Sequence, residues 1–181
     1  SALGEHQAAI EDFTAAIRLT PKNTSVYGER GIVRVYQGDI PGAIGDFTQA
    51  LRLSPNAKDY YNRGIVFYQQ GNFLQAIADF TLALQRDANF VAAYYNRGNA
   101  RYDVGDSQGA YKDYNQAIQS ESQVSLNVND EYGYYARGIA RSHLGDNRGA
   151  IADLQAAAAI CSQHRNTPLS QKIQETIKQL Q

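Results

Sequence analysis

The stretch from Tyr27 to Pro55, YGERGIVRVYQGDIPGAIGDFTQALRLSP, predicts a pair of helices. Its first half contains no proline and stops at Gly38, a residue typical of a helix C-terminus. Asp39 can cap the next helix, and Pro41 falls in that helix's first turn, where its missing N–H group matters little. The second half then carries apolar residues on one helical face, at Ala43, Ile44, Phe47, Ala50 and Leu51. Period-two alternation is absent, so no strand is expected.

The same pattern recurs along the chain. The Arg-Gly dipeptide appears four times, with glycine spacings of 33, 34 and 40 residues. A second glycine follows each one by seven residues, then an alanine, then a large apolar residue. These positions are Arg30-Gly31, Arg63-Gly64, Arg97-Gly98 and Arg137-Gly138; Gly38, Gly71, Gly105 and Gly145; Ala43, Ala76, Ala110 and Ala150; and Phe47, Phe80, Tyr114 and Leu154. One helical pair of this size cannot bury both of its faces, whereas stacked pairs can.

These units resemble tetratricopeptide repeats, helix–turn–helix modules of about 34 residues. The resemblance covers about residues 5–160, although Arg replaces the family's usual Leu before the first glycine and Tyr replaces its Trp. The Arg-Gly style resembles repeats that are abundant in cyanobacteria. The resemblance implies an all-α fold, a right-handed superhelical α-solenoid of antiparallel helix pairs, whose first helices line the concave face where partners usually dock.

The spacing predicts a single repeat domain over residues 1–181. It comprises a half repeat containing only the second helix (1–23), repeats at 24–56, 57–90, 91–130 and 131–164, and a capping helix at 165–181. About six extra residues near Glu121–Asp130 predict a longer loop or an extended helix end. The opening half repeat suggests a fragment, or a first helix missing by nature.

Composition excludes several classes of protein. Charged residues make up 19% of the chain and the net charge is −1, which argues against a nucleic-acid binder that works by charge. One Cys and three scattered His do not make a zinc site, and no metal or cofactor is expected. No apolar stretch approaches the roughly 20 residues of a membrane span. No phosphate loop or catalytic triad stands out, so we expect no enzyme; the compartment is cytoplasmic by default.

An arginine replaces an apolar residue at a packed position in every full repeat, and an isolated buried charge is costly. An aspartate precedes the large apolar residue of each repeat, so we predict four bidentate Arg–Asp pairs. They join Arg30 with Asp46, Arg63 with Asp79, Arg97 with Asp113, and Arg137 with Asp153. Two alternatives are that the guanidinium groups reach water while their stems pack, or that they bind a phosphate or carboxylate.

Eleven of the 13 tyrosines lie in first helices, which is far from an even scatter. One per repeat occupies the family's core aromatic position: Tyr27, Tyr60, Tyr94 and Tyr134. The others, with nearby amides, predict a groove that binds a peptide or protein segment; packing between repeats is the alternative. The predicted binding residues are Lys58, Tyr61, Asn62, Tyr68, Tyr95, Asn96, Asn99, Tyr102 and Tyr135.

The carboxylate clamp with which some members of the family grip chaperone tails is not expected. The first three repeats offer one of the five residues it requires, Asn62, and the last three also offer one, Asn96. We therefore predict a non-enzymatic interaction scaffold. The alternatives are a regulatory or targeting region of a larger protein, and a module that self-associates through an exposed N-terminal edge of Ile10, Phe13 and Ile17.

Overall fold

The computed structural model describes residues 2–123 and 131–181, and this part of the chain forms ten α-helices with no strand. The helices are α1 (Ala2–Leu19), α2 (Thr24–Gln37), α3 (Ile40–Leu53), α4 (Ala57–Gln69), α5 (Phe73–Arg86), α6 (Val91–Asp103), α7 (Ser107–Gln123), α8 (Glu131–His143), α9 (Asn147–His164) and α10 (Thr167–Leu180). The insertion predicted near residues 121–130 is covered by α7 as far as Gln123; the remainder lies outside the described residues.

The helices form two compact units, Ser1–Phe90 with α1 to α5 and Val91–Gln181 with α6 to α10. In the first unit, α2 packs against α3 and α4 against α5, while α1 covers α2. In the second unit, α6 packs against α7 and α8 against α9, while α10 packs on α9. Each unit is therefore built from two helical pairs and one additional helix.

The two terminal helices differ in how they pack. Leu169 and Ile173 of α10 are buried against Leu154, Ala157 and Cys161 of α9, as suits a capping helix. On α1, the side chains of Ile10, Phe13 and Ile17 are partly buried in the unit where α1 packs against α2. These three side chains are thus neither fully exposed nor fully covered, and their role as an edge for self-association stays a prediction.

Each first helix turns into its second helix through a glycine with positive φ, between 75° and 87° at Gly38, Gly71, Gly105 and Gly145. At the first of these turns, the Gly38 N–H group donates to Val35 O at 3.0 Å and the Asp39 N–H group donates to Arg34 O at 2.9 Å. This pattern satisfies the last carbonyl groups of α2 and needs a left-handed residue, which is why glycine stands there.

A further glycine, Gly42 in the first full repeat, contacts the residue that caps the following helix. The Asp39 carboxylate accepts a hydrogen bond from the Gly42 N–H group at 3.0 Å. Asp106 accepts from the Gly109 N–H group at 2.8 Å, and Asp146 from the Gly149 N–H group at 2.9 Å. A Cβ atom at Gly42 would collide with the capping carboxylate. The second full repeat has Asn72 at the cap, with no side-chain cap bond, and a glutamine at the glycine position. In the four full repeats, the glycine three residues after the cap is thus present only where the cap is an aspartate.

The two helices of each pair approach closely because a glycine on the first faces a large side chain on the second. A Cβ atom built on Gly64 would lie 2.8 Å from Cε1 of Phe80, whose side chain is fully buried. Gly31 faces Phe47 and Gly98 faces Tyr114 in the same way.

The substitution Gly64→Ala should lower the free energy of unfolding by about 1–3 kcal/mol, because overpacking forces the Phe80 ring to move. Urea unfolding followed by circular dichroism measures this change. Gly45→Ala is the matched control, since Gly45 is exposed on α3 with no atom near its Cβ position. It should stabilise the protein by about 0.5–1 kcal/mol through helix propensity alone. Equal effects of the two variants would contradict the close-packing account.

Candidate functional site

The predicted Arg–Asp pairs are present in all four full repeats. Nε and Nη2 of each arginine donate to the two carboxylate oxygens of its aspartate, at distances of 2.6 to 2.9 Å. The arginine side chains are 12–18% exposed and the aspartates 4–5%. Two parallel charge-assisted hydrogen bonds per pair join the first helix to the second.

The same arginines reach a third helix. Arg30 Nη1 donates to Thr14 Oγ1 at 2.9 Å, Arg63 Nη1 to Thr48 Oγ1 at 3.0 Å, and Arg137 Nη1 to Asn115 Oδ1 at 3.1 Å. Each acceptor lies on the second helix of the preceding repeat, directly after its large aromatic residue. The sequence analysis misses these acceptors, although their fixed place after the aromatic residue is a usable signal.

A second arginine binds the same aspartate in three repeats. Arg34, Arg101 and Arg141 each place Nη1 at 2.8 to 3.0 Å from the Oδ2 atom of Asp46, Asp113 or Asp153. Arg34 Nη1 also donates to the carbonyl oxygen of Gly42 at 3.1 Å. In the second full repeat Phe67 holds this position, and its ring centroid lies 5.9 Å from the Arg63 guanidinium carbon.

Hydrogen bonding holds these arginines in their charged form. The Asp46 carboxylate raises the pKa of Arg30 against the opposing effect of burial, and Asp79 raises the pKa of Arg63 in the same way. The donors of both side chains point at protein acceptors. The geometry favours a structural role over the alternative in which these arginines bind an external anion.

Asp79→Ala should cost about 3–5 kcal/mol of unfolding free energy, because it leaves the Arg63 guanidinium buried without its counter-charge. Chemical denaturation measures the loss. The double variant Arg63→Met/Asp79→Leu should recover most of it, since an apolar pair removes the buried charge together with its partner. A loss below about 1 kcal/mol in the single variant, the range of an exposed pair, would contradict this role.

A groove runs between α2 and α4 in the first unit and encloses about 300 Å³. Two of the predicted binding residues, Tyr61 and Asn62, line it. The remaining lining residues are Ile32, Val35, Tyr36, Phe47, Ile65, Val66 and Gln69. None of the nine side chains is charged. The aliphatic ones are not predicted from the sequence, because Val and Ile on a first helix are typical of ordinary packing residues.

Asn62 is the distinctive polar group of this groove. Its Nδ2 atom is buried, and it makes no hydrogen bond to any of the residues that the structure describes. Leaving such a donor unsatisfied costs about 1–3 kcal/mol. An acceptor supplied from outside, such as a peptide carbonyl, would remove that cost once the Asn62 side chain turns its amide toward the groove that it lines.

Three other predicted binding residues are engaged within the protein. Lys58 is exposed and pairs with Glu29 at 3.1 Å. Asn96 Nδ2 donates to Ala92 O of its own helix at 2.8 Å, and Asn99 Oδ1 accepts from the Tyr114 hydroxyl group at 2.8 Å. These bonds fix the two amides within the scaffold.

The remaining predicted tyrosines are partly buried and touch other aromatic or charged groups. The Tyr68 ring centroid lies 5.4 Å from that of Phe73. In the second unit, the Tyr95 ring packs where Gly133 leaves room for it. Tyr102 Oη lies 3.2 Å from His143 Nε2, and Lys172 Nζ lies 5.4 Å from the Tyr135 ring centroid. For Tyr95 and Tyr102 these contacts match the alternative of packing between repeats, and Tyr135 packs with the cluster beneath α10.

The sequence analysis also misses a polar junction at the end of the second unit. Glu131 is 8% exposed, and its carboxylate lies 2.9 Å from His164 Nδ1 and 3.2 Å from Asn166 Nδ2. Burial acts to raise the pKa of Glu131, but its own backbone N–H group, Asn166 and His164 outweigh that effect and hold the pKa below its ordinary value. The carboxylate thereby joins the start of α8 to the turn between α9 and α10.

Because the folded-state pKa of Glu131 is lowered, its ionised form stabilises the fold above the ordinary pKa of 4.5. That contribution is lost as the pH falls from 4.5 through the lower folded value. Unfolding of the wild type should therefore become easier across this window, whereas Glu131→Gln should show a flatter dependence. Denaturation followed by circular dichroism at a series of pH values measures both slopes. Parallel slopes for the two proteins would refute the assignment.

Across the described ranges, no cluster of three or more His, Cys, Asp or Glu side chains is placed to hold a metal ion. Within the same ranges, no helix has both the length and the apolar character to cross a membrane.

Comparison with known proteins agrees with this architecture. The sequence model described as Tetratricopeptide repeat matches residues 29–89 and 61–123, which together exceed half of the chain, and a second model of that description matches residues 1–23. No curated protein matches the sequence.

Solved structures share the fold. A crystal structure of MamA superposes with a TM-score of 0.80 at 19% identity, covering 90% of this chain and 92% of MamA. YrrB, described as a TPR protein with an unusual peptide-binding site, gives a TM-score of 0.78 at 19% identity over 97% of this chain and 86% of its own. The TPR2B domain of yeast Sti1, in a pHsp70 complex, gives 0.62 at 23% identity over 66% of this chain and 96% of its own. The predicted all-α fold of stacked helix pairs is confirmed.

Proposed function

Because this chain belongs to the tetratricopeptide repeat family, we propose that it is a non-enzymatic scaffold that binds an extended segment of a partner protein. The site is the groove between α2 and α4, lined by Tyr61 and Asn62. The family's helical pairs present such grooves between successive first helices. The residues with the strongest charge and hydrogen-bonding chemistry, the Arg–Asp pairs, are engaged in holding those pairs together.

The observation that carries the proposal is the buried Asn62 Nδ2 atom without a hydrogen bond among the described residues. A groove lined by apolar side chains and by an amide that lacks an acceptor favours a ligand that brings both an acceptor and apolar surface. An extended peptide does both, since its carbonyl groups are free and its side chains alternate in direction. A charged ligand fits less well, because no lining residue offers a counter-charge.

Two structural relatives give support of a general kind. YrrB is described by its peptide-binding site, and the Sti1 domain was solved in a complex with pHsp70. The carboxylate clamp remains unexpected here, since the first three repeats carry only Asn62 of its five residues. A partner that is bound through its backbone and uncharged side chains fits this chain better than an anionic tail.

The proposal can be tested with peptides selected from a random displayed library on the 181-residue chain. Substitution of the groove amide by Asn62→Ala should weaken the selected peptides about threefold to tenfold, the loss expected for one neutral hydrogen bond. Fluorescence anisotropy measures the dissociation constants. Asn147→Ala is the control, because Asn147 is exposed on α9 in the other unit. Peptides that bind both variants as tightly as the wild type would sink the proposal.

A further inference from the structure

The second unit contains positions equivalent to those that line the groove of the first, although several residues differ, such as Ala136 in place of Asn62. Both units hold a buried cluster of three equivalent positions: Ala43, Phe47 and Val66 in the first, and Ala110, Tyr114 and Ala140 in the second. Counted from the repeat arginines, Val35 and Tyr102 occupy the same position, five residues on. Each packs against its own unit's cluster.

One of the differences between the two units lies five residues after the repeat arginine, where Val35 stands in the first and Tyr102 in the second; the cluster beneath also changes, from Val66 to Ala140. In the second unit, the Tyr102 ring lies over the cluster, and its hydroxyl group is 3.2 Å from His143 Nε2. In the first unit the smaller Val35 stands at that position and lines the groove. Gln69 stands at the position equivalent to His143, six residues after the repeat arginine, and also lines the groove.

From this correspondence we propose that the groove of the first unit takes a tyrosine side chain of the partner segment, in the place where the protein's own Tyr102 ring lies in the second unit. The inference rests on the proposed function and specifies the residue that the groove selects. The guest ring would pack on Val35, Ile65 and Val66, and its hydroxyl group would meet the Gln69 amide as that of Tyr102 meets His143.

Charge and polarity agree with this occupant. The groove has no charged lining residue, so it accepts a neutral ring more readily than a Lys, Arg, Asp or Glu side chain. Asn62 supplies a donor for the guest's backbone, and Gln69 can donate to or accept from a phenol. An aliphatic guest would fill the apolar part but would offer no hydroxyl group to the Gln69 amide.

A small probe tests the selectivity directly. N-acetyl-tyrosinamide carries the ring, the hydroxyl group and two backbone-like carbonyl groups. Titrated into the ¹⁵N-labelled chain, it should shift the side-chain amide signals of Asn62 and Gln69 in a saturable way. N-acetyl-phenylalaninamide should bind about threefold to tenfold more weakly, because it lacks the hydroxyl group. N-acetyl-leucinamide should bind more weakly still. Equal or tighter binding of the leucine compound, or shifts that cluster elsewhere, would overturn the inference.

A self-filling variant gives the second test. Val35→Tyr places in the first unit the ring that the second already has, so it should reduce binding of N-acetyl-tyrosinamide by at least about tenfold. Val104→Tyr makes the same exchange at an exposed valine outside the groove and should leave the affinity unchanged. Thermal unfolding of both variants checks that they fold. If Val35→Tyr does not fold, the titrations of the wild type with the three compounds still test whether the groove selects tyrosine.

The library experiment separates this inference from the proposed function. Selected peptides that depend on Asn62 and share a tyrosine at a common position support both. Selected peptides that depend on Asn62 but share no tyrosine overturn the tyrosine inference and leave the groove as a binding site. Peptides that are indifferent to Asn62→Ala overturn the proposed function itself.

Discussion

The buried arginine of each repeat is the constraint on which the scaffold depends. Its guanidinium group meets one aspartate through two hydrogen bonds, and at Arg30, Arg63 and Arg137 a third bond reaches the preceding second helix. Such a group is costly to bury and can be satisfied only when three helices stand in one arrangement. An apolar side chain at the same position would tolerate small slips between helices. The arginine instead fixes the register of each pair against its neighbour.

This use of charge determines what the surface can recognise. Asp46, Asp113 and Asp153 each bind two arginines. Asp79 binds one arginine, Arg63. With these charges engaged in the scaffold, the groove between α2 and α4 is left with aliphatic, aromatic and amide side chains. A ligand there is recognised by its shape and by neutral hydrogen bonds. Selectivity among ligands then depends on how their polar groups match those of the groove, and long-range charge attraction contributes little.

The sequence predicts much of the fold because its signals are local. A glycine that needs positive φ, a carboxylate that caps the next helix and a small residue facing a ring all act within one repeat, at fixed spacing. The Arg–Asp pairs follow from the same logic, since a buried charge requires a partner. The candidate site follows less completely. Tyr61 and Tyr102 both lie on first helices and both contact rings of their own unit, yet Tyr61 also lines the groove. Which ring borders open space depends on the side chains of the neighbouring helix, and the repeat pattern does not show this.

The positions that stay constant between repeats hold the helices together, and the positions that vary include those that line the groove. The arginine and its aspartate are the same in all four repeats, whereas the position five residues after the arginine is Val35, Tyr68, Tyr102 or Ser142.

The second full repeat, which supplies α4 to the groove, also lacks the second arginine, the capping carboxylate and the glycine beneath it. These three features depend on one another, since Arg34 contacts both the cap and the carbonyl oxygen of the glycine in the repeat that has them. The second full repeat lacks all three features and still has the Arg63–Asp79 pair. A repeat can therefore differ in its turn and keep the ion pair that joins its two helices. A scaffold built this way can alter single groove positions while its packing stays fixed, and Val35 in place of a tyrosine is such an alteration.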